Sequence, residues 1–163
     1  MNKAYLLTGG NEGDRYGYLR QAGKYIEMDC GKILIQSSLY ETAPWGNTLQ
    51  GAFLNQALLI ETPMDASVLM KALLQIEKKM GRARMEKYGP RIIDIDILFF
   101  NSDIVKEKEL VIPHPQLQYR RFVLQPMNEI APGFYHPILH KTIHTLLAEC
   151  NDELDVKKLV QEI

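Results

Sequence analysis

Hydrophobic and polar positions alternate between two periods along this chain. Apolar side chains cluster over residues 3–7 and then give way to Thr8-Gly9-Gly10-Asn11-Glu12-Gly13-Asp14, which predicts a strand followed by turn-rich chain. Leu19, Ala22 and Ile26 then recur at helical spacing. Residues 33–40 and 53–61, rich in β-branched and aromatic side chains, read as a second and a third strand. Between them lies Glu41-Thr42-Ala43-Pro44-Trp45-Gly46-Asn47, punctuated as loops are. Asp65 is placed to cap a helix running to about residue 80, with Val68, Leu69, Ala72, Leu73 and Ile76 on its inner side. Residues 81–90 are charged, flanked by glycines and poor in apolar side chains, and read as a mobile loop. Residues 91–100 form the clearest strand. A polar turn, a helical segment over 119–124 and a last helix within 143–150 complete the pattern.

The order strand, helix, two strands, helix, strand, then a helical tail predicts an α+β fold. Its expected form is a ferredoxin-like antiparallel sheet with packed helices, an α/β/α sandwich. With 163 residues, 46 % of them hydrophobic, and no internal repeat or linker, residues 1–163 are expected to make a single domain. Fold alone does not fix chemistry.

Charge narrows the partners. Nineteen basic against twenty acidic residues leave a formal charge of −1, so no global basic surplus points to nucleic acid or to an anionic membrane. The chain opens without a secretory pattern, and no apolar run approaches the roughly 20 residues of a membrane span. Cys30 and Cys150 lack CxxC spacing and read as two buried or idle thiols. A soluble, cytoplasmic and monomeric protein is expected.

The sharpest chemical signal is Ile93-Asp94-Ile95-Asp96-Ile97. On a strand the three isoleucines share one face and the two aspartates the other. Side-by-side carboxylates on a rigid strand suit a hard divalent cation carrying a phosphate substrate, although two solvated aspartates on an exposed sheet face would give the same spacing. Just upstream stand Arg82, Arg84, Lys87 and Arg91, and guanidinium groups grip phosphate oxygens in bidentate fashion. Cations running straight into a carboxylate pair point to one polyphosphate site. The P-loop pattern and the protein-kinase catalytic loop are both missing. Gly9-Gly10-Asn11 reads as a tight turn, with a phosphate cradle as the alternative.

The stretch Tyr88-Gly89-Pro90-Arg91-Ile92-Ile93-Asp94-Ile95-Asp96-Ile97-Leu98 resembles the signature of the 6-hydroxymethyl-7,8-dihydropterin pyrophosphokinases of folate biosynthesis. Gly9-Gly10-Asn11, Ser37-Ser38-Leu39-Tyr40-Glu41-Thr42, Phe53-Leu54-Asn55-Gln56-Ala57, Val111-Ile112-Pro113-His114 and Arg120-Arg121-Phe122-Val123-Leu124-Gln125-Pro126 extend the similarity in order to about residue 147. This chain departs from the family's common pattern in having Gly10 for Ser and Phe53 for Tyr. The resemblance implies an ATP-dependent diphosphotransferase with two Mg²⁺ on Asp94 and Asp96 and ATP as co-substrate. It implies Arg82 and Arg91 at the transferring group, with Arg84, Lys87, His114 and Arg120 on ATP and Glu77 and Ile97 near the nucleoside. The pterin would lie between Phe53 and Phe122, its edge read by Asn55 and by the backbone of Thr42, Ala43, Pro44, Trp45 and Gly46. Two rival readings remain, a non-catalytic ferredoxin-like ligand-binding module and a metal-dependent nucleotide hydrolase.

Overall fold

The computed structural model describes residues 1–43, 51–81 and 91–159. Of the expected features, the loop over 82–90 with Arg82, Arg84 and Lys87, and the segment with Pro44, Trp45 and Gly46, lie outside the described residues.

The sheet is built around β1 (Asn2–Gly10) and β4 (Phe53–Thr62), which pair antiparallel over their whole length from Asn2↔Thr62 to Gly10↔Leu54. β5 (Asp94–Phe100) pairs with the other edge of β1. Beyond β4 lie β2 (Lys32–Gln36) and β3 (Tyr40–Thr42), and β8 (Val156–Lys158) joins β3 at the rim. β1, β4 and β5 stand in the order β5-β1-β4, with the broken second strand next. That is the antiparallel arrangement expected of a ferredoxin-like α+β fold.

Two apolar layers sandwich the sheet. On one face α1 (Arg15–Asp29) buries Leu19, Ala22 and Ile26, and α2 (Ala66–Lys79) buries Leu69, Leu73 and Ile76. On the other face α3 (Arg121–Ile130) and α4 (Ile143–Glu149) pack Val123, Leu124, Met127, Ile143 and Leu146 against Leu7, Ala57 and Phe99. Local chemistry sets the helix starts. The Asp14 carboxylate accepts from Gly17 N at 3.1 Å, Asp65 from Val68 N at 2.9 Å, and Thr142 Oγ1 from Thr145 N at 3.2 Å. Each satisfies one of the orphan donors of a first turn.

Five expectations are corrected. The second strand breaks at Ser37, whose buried hydroxyl accepts from Ala57 N at 2.9 Å and so replaces a ladder bond with a side-chain one. β1 runs through Gly9 and Gly10, so the tight turn expected there lies further on, where Gly13 has φ +70°. The fourth strand begins at Asp94 rather than at residue 91, because the Arg91 backbone is engaged by Asn11. Asn11 Oδ1 accepts from Arg91 N at 2.9 Å, and Asn11 N donates to Arg91 O at 3.0 Å. Val68, expected inside, is 47 % exposed, since the inner stripe of α2 passes through Leu69, Leu73 and Ile76. The third helix also runs longer than expected, from Arg121 through Pro126 to Ile130, after a single 3-10 turn at Leu117–Tyr119. The short hairpin of β6 (Val105–Glu107) and β7 (Leu110–Ile112) carried no signal of its own.

Replacing Asp65 by alanine should lower stability by about 1 kcal/mol, since α2 would lose its cap. Urea unfolding reads this directly, and an unchanged midpoint would show that the cap contributes nothing.

Candidate active site

The register of the sheet puts the candidate residues in one row. Gly9 lies opposite Asn55 on one side and Asp94 on the other, and Leu7 lies between Ala57 and Asp96. Tyr40 is opposite Asn55, and Thr42 opposite Phe53. Directly paired residues share a sheet face, so these side chains all point toward α3 and α4. Ile93, Ile95 and Ile97 go the other way, each no more than 4 % exposed in the core beneath α1 and α2. The predicted split between isoleucines and aspartates is thus observed.

On the α3 side a cavity is lined by Leu7, Gly9, Thr42, Ala43, Phe53 and Asn55 from the sheet. Asp94 and Asp96 line it as well, with Arg91 just ahead of β5 and Arg120 and Phe122 at the start of α3. The structure therefore brings together nine of the residues singled out from sequence: Thr42, Ala43, Phe53, Asn55, Arg91, Asp94, Asp96, Arg120 and Phe122. One end is aromatic and neutral, the other ionic.

At the neutral end, Thr42 Oγ1 and Asn55 Nδ2 are buried without a hydrogen-bond partner among the described residues. A buried polar atom left unpaired costs about 1–3 kcal/mol, and two of them in one cavity mark a place where a ligand supplies the missing partners. Leu7 is not singled out as a site residue by the sequence, and Gly9 reads there as part of a turn or phosphate cradle rather than as a neighbour of Asn55. Gly9 matters because a Cβ there would collide with Asn55 Oδ1, so the missing side chain is what lets the amide occupy the cavity floor. A glycine pair continuing a strand pattern was the available signal. Gly10 is equally constrained, since a Cβ there would strike the carbonyl oxygen of Ile92.

At the ionic end, Arg91 Nη1 reaches Asp94 Oδ2 at 3.0 Å, with both side chains largely shielded from solvent. Burial, then the neighbouring charges of Asp94 and Glu77, push the Asp96 carboxyl well above the usual carboxylate range, while Arg91 and Arg120 pull it back. Arg120 also stands over the Phe122 ring, its guanidinium carbon 5.8 Å from the centroid. Glu77 and Ile97 do not line this cavity. Both are 3 % exposed, and the Glu77 carboxylate accepts from Ile95 N at 2.7 Å, which pins the backbone between the two aspartates.

His114 stands beside the cavity. Its backbone N donates to Leu98 O at 3.0 Å, which fastens the chain after β7 to the outer edge of β5. Burial, and then the positive charge of Arg120, hold its imidazole down to about 4, so it is neutral at physiological pH. Its Nδ1 accepts from Gln116 N at 3.2 Å, leaving Nε2 as the protonated nitrogen and a donor.

Comparison with known proteins gives this geometry its context. A profile of the 7,8-dihydro-6-hydroxymethylpterin-pyrophosphokinase family matches residues 5–132. A Bacillus subtilis 2-amino-4-hydroxy-6-hydroxymethyldihydropteridine pyrophosphokinase is 42 % identical over 130 residues, covering 79 % of this chain and 78 % of that protein. The Aquifex aeolicus protein of the same name is 39 % identical over 145 residues, covering 88 % of this chain and 89 % of the other. The Dictyostelium discoideum folic acid synthesis protein FOL1 is 40 % identical over 147 residues, 89 % of this chain but only 22 % of its own length. Among solved structures, a Plasmodium falciparum HPPK-DHPS with pteroate superposes with a TM-score of 0.76 over 91 % of this chain and 42 % of that one, at 20 % identity, a likeness of fold. With the profile spanning most of its length, and bacterial relatives at 39 % and 42 % identity aligned over most of both chains, the chain belongs to the 7,8-dihydro-6-hydroxymethylpterin-pyrophosphokinase family.

Proposed function

We propose that this chain transfers the pyrophosphoryl group of ATP to the hydroxymethyl group of 6-hydroxymethyl-7,8-dihydropterin, giving the pterin diphosphate and AMP in folate biosynthesis. The observation that carries this reading is the continuity of one cavity, aromatic and hydrogen-bond-hungry at one end and ionic at the other. A flat heterocycle fits the first end and a polyphosphate the second, with the reacting oxygen between them.

The pterin is held against Phe53 and Phe122, and Asn55 Nδ2 and Thr42 Oγ1 gain partners on its polar edge. Ala43 supports that wall, and the backbone of Pro44, Trp45 and Gly46 is assigned to the pterin edge on the family resemblance alone. The hydroxymethyl oxygen attacks the β-phosphorus in line, the bond from that phosphorus to the oxygen of AMP breaks, and the hydroxyl proton is released. Such transfers depend mainly on positioning and on cancellation of charge. Arg91 and Arg120 supply fixed positive charge at the ionic end, and His114 offers Nε2–H to a phosphate oxygen without adding charge. Arg82, Arg84 and Lys87 add cations from the segment that precedes Arg91, where closure over ATP would exclude water. Glu77 and Ile97, buried behind β5, would lie near the nucleoside and act through the strand rather than by lining the cavity.

The donor set suits Mg²⁺. Two aspartates share one face of a strand with Glu77 behind them, and burial, followed by the charges of Asp94 and Glu77, pushes the Asp96 carboxyl above its ordinary value. Asp94 and Asp96 would hold two Mg²⁺, which when bound offset the negative charge of the triphosphate. In this reading the chain is one domain over 1–163, works as a cytoplasmic monomer, and takes small molecules rather than nucleic acid or membrane as partners. Its near-neutral charge, and the lack among the described residues of a helix long and apolar enough to cross a membrane, are consistent with that.

The test is AMP formation from MgATP with and without the pterin. AMP that appears only with the pterin, together with a pterin diphosphate, supports transfer, whereas phosphate release from ATP alone supports a hydrolase. Asp96→Asn should lower turnover on the order of 10²–10³-fold while the thermal transition is retained; near-normal turnover would remove the carboxylate pair from the mechanism. Gly9→Ala should displace Asn55 and raise the pterin KM at least about tenfold with little change for ATP. An unaltered pterin KM would show that Asn55 does not read the ring.

A further inference from the structure

Glu129 lies outside the cavity, near the end of α3, yet its carboxylate accepts from both Ser38 and Tyr40. Oε2 accepts from Ser38 N at 3.0 Å and from Ser38 Oγ at 3.1 Å, and Oε1 accepts from Tyr40 Oη at 2.6 Å. Lys158 Nζ stands 3.9 Å away. Burial works to raise this carboxyl, but the donors from Tyr40 and Ser38, with Lys158, hold it below its ordinary value. The partners are telling. Ser38 lies where the strand is interrupted between β2 and β3, so Glu129 provides an acceptor where the ladder is broken. Tyr40 is 3 % exposed, sits directly opposite Asn55, and is two residues from Thr42 on the same strand face.

α3 is tied down at its other end as well. Arg121 N donates to Asp152 Oδ2 at 3.0 Å, Nε to Asp152 O at 3.1 Å, and Nη2 to Cys150 O at 3.1 Å. The same tail continues into β8, which pairs with β3. A closed circuit therefore runs from β3 through Glu129 and α3 to Arg121, along residues 150–158 and back to β3. The parts it joins carry the two walls of the cavity, Thr42 and Ala43 on β3 and Arg120 and Phe122 at the start of α3.

We propose that Glu129 is a positioning residue for the pterin: through Tyr40 and Ser38 it sets the separation between the β3 wall and the Phe122 wall, and so governs pterin affinity without touching either substrate. This rests on the transferase reading above. ATP binding in that reading draws mainly on β5, Arg91 and His114, with Arg120 as its contribution from α3, and should respond to Glu129 much less than pterin binding does.

The test measures KM and dissociation constants for both substrates in Glu129→Gln, Tyr40→Phe and the double variant, alongside the unaltered protein. Each single variant should weaken pterin binding roughly fivefold or more while the MgATP constant changes less than about twofold. The double variant should resemble Glu129→Gln alone, because the Tyr40 bond is one of the bonds that Glu129 makes. Unchanged pterin affinity in folded Glu129→Gln would overturn the proposal. Loss of affinity for both substrates together, in step with a lowered melting temperature, would also overturn it, by showing a general structural role. If the unaltered protein turns over no pterin, the transferase reading fails; if it does and the variants match it, only the role of Glu129 fails.

Discussion

Three carboxylates around one short strand form the constraint to which the rest of this protein answers. Asp94 and Asp96 share a face of β5, and Glu77 reaches the backbone between them from α2. Charges of one sign so close together, partly removed from water, oppose folding unless cations balance them. The molecule supplies a partial balance through Arg91, paired to Asp94, and Arg120 at the head of α3. Carboxylates and guanidinium groups are thus concentrated at one point of the surface, on a strand too firmly embedded to relax away from it.

That firmness comes from the core on the far side. Ile93, Ile95 and Ile97 are buried beneath α1 and α2, so β5 cannot turn its aspartates outward without exposing three isoleucines. β1 separates β5 from β4 by the width of one strand, and its glycines leave the space beside it open. The same register that presents the aspartates sets Asn55 across Gly9 and Phe53 two residues away. The neutral and the ionic ends of the cavity thus become neighbours through strand pairing, and Arg120 and Phe122 at the start of α3 line it as well.

Much of this was legible from residues. The alternation of Ile and Asp fixed which face each occupies, helical spacing found Leu19, Ala22 and Ile26, and Asp65 marked the start of α2. The losses have physical causes. Ser37 interrupts a strand by making a tertiary bond that no local pattern records. β6, β7 and β8 have three residues each, too few to show a period, and β8 is held by pairing to β3 rather than by its own Val-Lys-Lys. Val68 was misplaced because a helical stripe drifts, and one residue at its margin falls either way. Gly9 and Glu129 do their work across 46 and 91 positions of chain, to Asn55 and Ser38, where only the fold reveals a partner.

The most direct measurement is a crystal structure of the chain with Mg²⁺, a non-hydrolysable ATP analogue and 6-hydroxymethylpterin. The account predicts the ring between Phe53 and Phe122 with its polar edge on Asn55 Nδ2 and Thr42 Oγ1, and Mg²⁺ joining Asp94 and Asp96 to the phosphates. A pterin bound elsewhere, or phosphates held with both aspartates uninvolved, would contradict it.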